Sequence, residues 1–159
     1  MSIVLFLHQC ITKFKFNFKE MSVRTANAQW NGTLKNGKGI MSFSNYKGPY
    51  TFASRFEKGE GTNPEELVGA AISGCYSMFL SALISEEGLN PESVQTTAKV
   101  HLESDNIGPV ITKIELDCKV KCEGLSQYKF DELANASKEK CPISRLYSSA
   151  NKVLTANLI

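Results

Sequence analysis

The most regular hydrophobic pattern in this chain lies between residues 110 and 122. Apolar and charged residues alternate there without exception from position 113 to position 122. This period of two is typical of a β-strand that has one face in the core and the other in solvent. We therefore predict two long strands, Val110–Cys122 and, before it, Thr96–Ser104. The apolar positions of the alternating run are Ile114, Leu116, Cys118, Val120 and Cys122.

A long helix is indicated by the nearly continuous apolar stretch that follows position 63. Asn63 is a favourable N-cap, and Pro64 suits the first helical position. Glu66, three residues after the cap, is placed to complete a capping box, and Gly88 is a typical C-terminal stop. Because the stretch has almost no polar stripe, we predict a central helix that is covered on most sides. Several small residues leave room for another element to approach its backbone: Gly69, Ala70, Ala71, Ser73 and Gly74.

Residues 24–56 consist of short β-prone runs that are broken by turn residues. The turn signals are Asn31-Gly32, Lys35-Asn36-Gly37 and Lys47-Gly48-Pro49. They predict a meander of about three strands. In the last predicted strand, Tyr50–Phe56, alternation puts Arg55 on the face opposite the aromatic side chains.

The remaining segments complete an α+β fold. A helix is predicted from about Ser126 to Lys140, a second short helix after Cys141, and a closing strand near Val153–Ile159. The order of three strands, a long helix, two strands, helices and a strand predicts one α+β domain with antiparallel sheets. A chain of 159 residues buries about two thirds of its unfolded surface, so no disulfide or structural metal is needed.

The first twenty residues differ in composition from the rest. Their apolar run, Ile3–Leu7, is shorter than the hydrophobic region of a signal peptide and far shorter than a membrane span. We interpret residues 1–20 as an N-terminal extension without chemistry and residues 21–159 as the functional domain, with Met21 as its natural start. A membrane-surface role of the extension is the minor alternative.

The net charge and the cysteine positions exclude several classes of function. The chain has 18 Lys and Arg against 16 Asp and Glu, and the net charge of +2 is too small for a nucleic-acid-binding surface. Five scattered cysteines fit neither a secreted disulfide framework nor a paired zinc motif, so we expect a cytoplasmic protein. With two histidines, His8 and His101, we expect no catalytic metal and no other cofactor.

Three of the cysteines have clear structural contexts outside the central helix. Cys118 and Cys122 lie about 13 Å apart along one predicted strand, too far for a disulfide, so we predict two separate core residues. Cys141 precedes Pro142 at a predicted helix start, where unpaired backbone N–H groups favour a thiolate. The alternative for Cys141 is a small residue that merely tolerates a turn.

Cys75 lies in the middle of the predicted central helix. A lone cysteine there is most often a packing residue, and burial in apolar surroundings raises the pKa of a thiol. A reactive Cys75 therefore needs a cation that the tertiary structure brings to it. Arg55 is the candidate, because it precedes the helix on a strand that we expect nearby.

Two segments carry a resemblance to a known family: SRFEKGEGTNPEELVGAAISGCYSM around Cys75 and KCPIS around Cys141. Together with W-x-G at Trp30 and I-T-K-I-x-L at Ile111–Leu116, they resemble the OsmC family, relatives of the organic hydroperoxide resistance proteins. The resemblance extends from about Met21 to the C-terminus. It implies an OsmC-like fold, an intertwined homodimer with its active sites at the subunit interface, and a cysteine-based peroxidase that reduces organic hydroperoxides.

Residue roles follow from the same resemblance. By matching motif, Cys75 becomes the peroxidatic nucleophile and Cys141 the resolving thiol. Arg55 becomes the cation that stabilises the thiolate, and Glu65 the carboxylate that orients this cation. The family also implies re-reduction by a dithiol, with lipoyl-bearing proteins as the reductant.

Helical geometry adds a constraint to these roles. Glu65 and Cys75 are ten positions apart, which is about 15 Å of rise along one straight helix, so they cannot touch within it. If Glu65 orients a cation beside Cys75, either the chain folds back or Glu65 comes from the partner subunit. We favour the second and hypothesise composite active sites, each with Cys75 from one chain and Glu65 from the other. The apolar wall of the central helix suits an alkyl or aryl hydroperoxide.

Two other functions stay open at this point. One is a non-catalytic stress protein that binds an apolar small molecule, with the thiols as packing residues. The other is a redox sensor whose disulfide alters the binding of a partner. Both leave Arg55 and Cys141 unexplained, so the sequence favours the enzyme.

Overall fold

The computed structural model describes residues 23–159, and the predicted extension over residues 1–20 lies outside them. In chain order the elements are β1 (Ala26–Asn31), β2 (Lys38–Phe43), β3 (Tyr46–Thr51), α1 (Phe52–Phe56), α2 (Pro64–Glu86), β4 (Ser93–Ser104), β5 (Pro109–Lys121), α3 (Gln127–Lys140), α4 (Pro142–Leu146) and β6 (Asn151–Leu158). The two long strands, the central helix, the two later helices and the closing strand are confirmed within a few residues of their predicted bounds.

The strands form two sheets. β1, β2 and β3 form an antiparallel meander, as predicted. In the second sheet, of order β4-β5-β6, β4 pairs antiparallel with β5, but β5 pairs parallel with β6. The prediction of antiparallel sheets is therefore wrong for this last pair. Helices α3 and α4 form a crossover that returns the chain to the starting end of the sheet, and such a connection makes the flanking strands parallel.

The end of the N-terminal meander also differs from the prediction. The β2–β3 turn lies at Ser44, which has a left-handed φ of 50°, whereas the predicted turn at Lys47-Gly48-Pro49 lies inside β3. The predicted strand Tyr50–Phe56 ends early, because Thr51 is the N-cap of a reciprocal capping box that starts α1. Arg55 is consequently a helical residue, and its assignment to a strand is wrong.

The core lies between α2, the second sheet and α3. Helix α2 packs against β4, α3 and α4. The alternating apolar positions of β5 are buried, as predicted, and Cys118 and Cys122 are separate free thiols in this core. The largest fully buried side chains include Tyr76, Phe130, Ile72, Leu80, Ile84, Ile114, Leu116 and Val120.

The central helix is covered on one face by its own chain. Its buried positions follow helical spacing: Gly69, Ile72, Tyr76, Leu80, Leu83 and Ile84. On the other face Ala70, Ala71 and Gly74 are exposed, and Met78 is 78% exposed. The prediction that most sides are covered is therefore wrong for the single chain. By length and composition alone α2 is apolar enough to cross a membrane, as core helices of soluble proteins also can be.

Candidate active site

Helix α1 is held beside the start of α2 by a set of hydrogen bonds. Ser54 Oγ donates to the backbone oxygen of Thr62 at 2.8 Å, and Asn63 Nδ2 donates to the backbone oxygen of Ser54 at 3.0 Å. The backbone N–H of Thr62 donates to the oxygen of Pro49 at 3.1 Å. These bonds fix the loop between the two helices, so Arg55 on α1 reaches the first turn of α2.

The N-terminus of α2 forms as predicted, with one difference. Asn63 Oδ1 accepts a hydrogen bond from the N–H of Glu66 at 2.8 Å, and Pro64 is the first helical residue. The Glu66 side chain does not complete the predicted capping box, because its Oε2 accepts a 3.0 Å hydrogen bond from the hydroxyl of Thr62 instead. The neighbouring carboxylate, Glu65, binds Arg55.

Arg55 and Glu65 form a bidentate ion pair. Arg55 Nη2 lies 2.7 Å from Glu65 Oε1, and Arg55 Nε lies 3.2 Å from both carboxylate oxygens. This geometry fixes the plane of the guanidinium as well as its distance. The Phe56 ring, with its centroid 5.1 Å from Arg55 Cζ, covers part of the cation. The two side chains are 33% and 14% exposed, so Arg55 keeps an accessible edge while Glu65 is mostly covered.

The two candidate redox cysteines meet at the start of α4. Cys141 is the C-cap of α3 and, as predicted, the N-cap of α4, but its thiol makes no capping hydrogen bond. The start of α4 packs against α2, where the backbone N–H of Ile143 lies close enough to Cys75 to lower the pKa of its thiol. The Cys141 thiol also lies close enough to Cys75 to raise the pKa of its thiol. The fold therefore brings this predicted pair together within one chain.

The environment of Cys75 in the single chain favours the neutral thiol. Burial, followed by the hydrogen bond with Cys141, raises the pKa of Cys75 to about 11, although the Ile143 N–H acts in the opposite direction. No cation within residues 23–159, including Arg55, shifts the pKa of Cys75. A reactive Cys75 at neutral pH therefore needs a positive charge that residues 23–159 of its own chain do not supply.

The four predicted residues form two separate pairs in the chain. The Arg55–Glu65 pair lies at the N-terminal end of α2, and Cys75 lies ten residues further along the same helix. At 1.5 Å per residue this is about 15 Å of rise. Arg55 is thus bound to Glu65, which was predicted to orient it. Its partner Glu65 lies ten residues before Cys75 on α2, so the structure does not place the cation beside the thiol that it was predicted to stabilise.

Arg55 lies between two cavities. The first, of about 560 Å³, is a groove between the small-residue side of α2 and β4, and its lining includes Glu65, Gly69, Ala70, Ser73, Thr96 and Ala98. The second, of about 360 Å³, is mainly aromatic, with a lining that includes Trp30, Leu34, Tyr50, Phe52, Phe56 and Pro64. Cys75 lines neither cavity. The aromatic pocket was not predicted from the sequence, because α1 was assigned to a strand.

A second charged cluster lies on β4 and β5 of the second sheet. His101 Nε2 lies 3.3 Å from Glu115 Oε1, and Lys113 Nζ lies 2.6 Å from the same oxygen. The hydrogen bond from Lys113 holds the pKa of the partly exposed Glu115 carboxyl below its usual value. His8, the other histidine, lies outside the described residues. Across residues 23–159 no group of three or more His, Cys, Asp or Glu side chains is arranged to hold a metal ion.

Two further groups near the cysteines were not predicted from the sequence. Ile143 contributes its backbone N–H, which no side-chain pattern reveals, although the unpaired N–H groups expected after Pro142 were a signal. Ser144, the third residue of α4, has a buried hydroxyl with no hydrogen-bond partner in the part of the chain that the structure describes. The sequence gives no signal for this unpaired hydroxyl.

The chain has relatives among known proteins over most of its length. Residues 57–155 match the model of the family described as OsmC-like protein. The chain is 43% identical to peroxiredoxin OsmC of Escherichia coli K12 over 122 residues, which cover 75% of this chain and 85% of that protein. It is 32% identical over 85 residues to the organic hydroperoxide resistance protein OhrB of Bacillus subtilis 168, which cover 54% of this chain and 61% of the relative.

The fold also matches a solved structure. The crystal structure of an OsmC-like protein from Mycoplasma pneumoniae aligns with a TM-score of 0.71, covering 87% of this chain and 98% of that one. At 10% sequence identity this similarity shows the fold alone. The predicted α+β class is confirmed, with the mixed second sheet as the correction.

Proposed function

The chain belongs to the OsmC-like protein family, and from this premise we propose that it is a cysteine-based peroxidase that reduces organic hydroperoxides to alcohols. The observation that carries the proposal is the meeting of Cys75 and Cys141 at the start of α4. Two thiols within hydrogen-bonding reach can exchange between dithiol and disulfide with little rearrangement. The peroxiredoxin name of the relative from E. coli supports the same chemistry.

Exposure gives the two cysteines different roles in this proposal. Cys75 is partly exposed, whereas Cys141 is fully buried. A peroxide that arrives from solvent can therefore reach the sulfur of Cys75 but not that of Cys141. Cys75 is accordingly the peroxidatic nucleophile and Cys141 the resolving thiol, in agreement with the family resemblance.

The proposed cycle has three steps. The Cys75 thiolate attacks the terminal oxygen of the hydroperoxide, so an S–O bond forms, the O–O bond breaks, and the alkoxide takes up a proton and leaves as the alcohol. Sulfur loses two electrons and the peroxide gains them. The Cys75 sulfenic acid then condenses with the Cys141 thiol to give the disulfide and one water, which protects Cys75 from further oxidation. An external dithiol reduces the disulfide by exchange.

The positive charge that Cys75 needs is proposed to come from Arg55 of the partner subunit. Within one chain the guanidinium is bound to Glu65, which precedes Cys75 by ten residues or about 15 Å of helical rise, and the pKa of the Cys75 thiol is about 11. An opposite charge within about 4–6 Å lowers such a pKa by about 1–3 units. Glu65 orients the guanidinium through the bidentate pair. Each active site is then composite, with Cys75 and Cys141 from one chain and the ion pair from the other.

A homodimer is the proposed assembly that builds these composite sites. The uncovered face of α2 is apolar, and its small residues Ala70, Ala71 and Gly74 allow close approach of a second copy. An added Cβ at Gly74 would meet no atom within 4 Å in the single chain. The first sheet packs mainly against α1 of its own chain, so it is available to cover a partner, which supports an intertwined arrangement.

The aromatic pocket beside Arg55 is the proposed site of the organic part of the substrate. Its volume of about 360 Å³ suits a small ligand, and most of its lining is apolar. Burial of an alkyl or aryl group contributes about 25 cal/mol per Å² of apolar surface. We therefore propose that organic hydroperoxides bind better than hydrogen peroxide, which has no such group.

The reductant is proposed to be a small dithiol or a lipoyl-bearing protein. In the proposed disulfide only Cys75 is partly exposed, whereas Cys141 is buried. The reductant must therefore reach the partly covered Cys75 sulfur, which a small or chain-linked dithiol can do. We also propose a cytoplasmic location. The four cysteines of the described region are free thiols, which are typical of proteins in reducing compartments.

Consumption of cumene hydroperoxide in the presence of a dithiol reductant tests the proposed function. Wild type should turn over, Cys75→Ser should not, and oxidised wild type should show a Cys75–Cys141 disulfide in mass spectra. Cys122→Ala is the matched control, because Cys122 is a buried thiol at the end of β5, and it should retain turnover. Undiminished peroxide removal by Cys75→Ser would end the assignment.

The same experiment separates the two other functions. A non-catalytic protein that binds an apolar molecule, for which the aromatic pocket is the supporting observation, would show no turnover and no disulfide. A redox sensor would form the disulfide once without sustained peroxide consumption. Either result would replace the peroxidase proposal.

A further inference from the structure

Ser144 carries a polar group that the folded chain leaves unsatisfied. The residue is 1% exposed, and its hydroxyl has no hydrogen-bond partner within residues 23–159. Burial of an unpaired hydroxyl is unfavourable, and such groups are rare in folded proteins. Where one persists, its surroundings or its function must account for it.

The cap of α4 explains why this hydroxyl is unpaired. At a helix start, the side chain of the third residue commonly reaches back to the N–H of the N-cap residue. The N-cap of α4 is Cys141, and its N–H already donates to the backbone oxygen of Ser137 at 3.0 Å, in the last turn of α3. Ser144 therefore lies one turn from Cys141 with its usual backbone partner already in use.

The same helix start is part of the redox centre. Helix α4 packs against α2, and both the backbone N–H of Ile143, the residue before Ser144, and the thiol of Cys141 lie close enough to Cys75 to shift its pKa. The start of α4 thus contains three groups: the resolving thiol of Cys141, the Ile143 N–H beside Cys75, and the unpaired hydroxyl of Ser144. Thiols are weak hydrogen-bond acceptors, so the reduced thiols of Cys75 and Cys141 are poor hydrogen-bond partners for the Ser144 hydroxyl.

We propose that the Ser144 hydroxyl donates a hydrogen bond to the oxygen of the Cys75 sulfenic acid and promotes its condensation with Cys141. This inference rests on the peroxidase function proposed above. Oxidation adds one oxygen to Cys75 and creates a strong acceptor. In the next step the Cys141 sulfur attacks the Cys75 sulfur, the S–S bond forms, the S–O bond breaks, and the oxygen leaves as water with the proton of the Cys141 thiol. A donor on that oxygen stabilises the negative charge that develops on it.

Ser144→Ala tests the inference, with Ser137→Ala as the matched control. Ser137 is also buried and lies one turn before Cys141, but its Oγ is paired, donating to the backbone oxygen of Tyr76 at 3.0 Å. Each protein is oxidised with cumene hydroperoxide in the absence of reductant. The sulfenic acid, trapped by dimedone, the sulfinic acid and the disulfide are then quantified over time by mass spectrometry.

The partition between disulfide and sulfinic acid is the decisive measurement. Ser144→Ala should be oxidised at the wild-type rate in the first step but should form the disulfide about 100-fold more slowly, the lower end of what loss of one oxyanion donor costs. Its sulfinic acid fraction should rise accordingly. Ser137→Ala should form the disulfide at the wild-type rate.

Thermal unfolding separates this role from a purely structural one. Because the Ser144 hydroxyl is unpaired, Ser144→Ala should keep at least the wild-type midpoint, whereas Ser137→Ala should lower it. The inference is overturned if Ser144→Ala forms the disulfide at the wild-type rate, slows the first oxidation instead, or loses as much stability as Ser137→Ala.

The wild-type arm distinguishes failure of this inference from failure of the proposed function. If wild type forms neither sulfenic acid nor disulfide, the peroxidase function fails and the role of Ser144 fails with it. If wild type reacts normally and Ser144→Ala behaves identically, only the role of Ser144 fails.

Discussion

Arg55 on α1 and Glu65 in the first turn of α2 hold each other through three hydrogen bonds across the loop that joins the two helices. The carboxylate lies at the positive end of the α2 dipole, which stabilises its charge. The guanidinium is thereby oriented before any substrate binds, and it keeps an edge accessible. Since Cys75 of the same chain lies about 15 Å further along α2, this oriented cation is available to a second subunit.

Arg55→Ala tests whether this charge acts on Cys75. Without a cation the pKa of Cys75 is about 11, so the variant should titrate near that value. The thiolate fraction rises with pH, so the oxidation rate of the variant should keep rising toward that pKa, whereas the wild-type rate should level off at lower pH. At neutral pH the loss should be about 10- to 1,000-fold, equivalent to 1–3 pKa units.

Ultraviolet absorbance of the thiolate during a pH titration measures the same pKa directly. Cys75→Ser provides the blank, and Arg55→Lys keeps the charge but not the bidentate geometry, so it should give an intermediate value. Identical titrations of wild type and Arg55→Ala would show that Arg55 does not act on Cys75.

Glu65→Gln is expected to have a smaller effect than Arg55→Ala. The guanidinium loses its charge-assisted partner but remains present, so the Cys75 pKa should rise by about one unit, which is about tenfold in thiolate at neutral pH. Glu66→Gln is the matched control, because Glu66 lies in the same helical turn and binds the Thr62 hydroxyl instead of Arg55. Peroxidase rates of both variants should be compared, and equal losses would argue for an effect of charge at the helix terminus.

Elements with strong local periodicity could be predicted from the sequence. The alternation in β5 and the start of α2 at Asn63 and Pro64 depend on residues that are near one another in the chain, and both are confirmed, although Glu66 does not complete the predicted capping box. The strand predicted over Tyr50–Phe56 failed because the capping box between Thr51 and Ser54 outweighs the β-propensity of the aromatic residues. The parallel pairing of β6 could not be predicted, because it depends on the path of the α3–α4 crossover.

The sequence named candidate site residues, but their arrangement could not be predicted from it. The motifs identified four residues, and helical rise alone already separated Glu65 from Cys75. The structure adds that Arg55 binds Glu65 and that Cys75 contacts Cys141. Neither contact could be derived from spacing, because each joins different secondary-structure elements. For the Ile143 N–H the sequence signal was only general, namely the unpaired backbone N–H groups expected at a helix start after Pro142.

Cys141→Ser should leave the first oxidation intact and abolish its resolution. The serine cannot form a disulfide with Cys75, so the sulfenic acid should persist and proceed to sulfinic acid with further peroxide. Mass spectra of the variant should show an addition of two oxygens on Cys75 that wild type does not accumulate. A disulfide from Cys75 to Cys118 or Cys122 in this variant would contradict the assignment of those two as inert core residues.

Met78→Lys is expected to convert the proposed dimer into a monomer. Met78 is 78% exposed on the apolar face of α2, and a lysine there would bury an unpaired charge in a subunit interface. Light scattering should give twice the chain mass for wild type and the chain mass for the variant, and the Cys75 pKa of the variant should move toward about 11. Tyr128→Lys, on an 81% exposed residue of α3, is the control and should stay dimeric. A monomeric wild type would refute the composite site.

Gly61→Ala is expected to disturb the loop that carries the Arg55–Glu65 pair. Gly61 has a φ of +106°, and an added Cβ would lie 2.5 Å from the backbone oxygen of Pro49. Gly88→Ala is the control, because its φ is +78° but its Cβ would meet no atom within 4 Å. Urea unfolding should show a loss of about 1 kcal/mol for Gly88→Ala from left-handed strain alone, and a larger loss for Gly61→Ala. The peroxidase rate should fall in Gly61→Ala only, because the collision displaces the loop that orients the cation. Equal effects of the two variants would mean that the loop absorbs the collision without moving the pair.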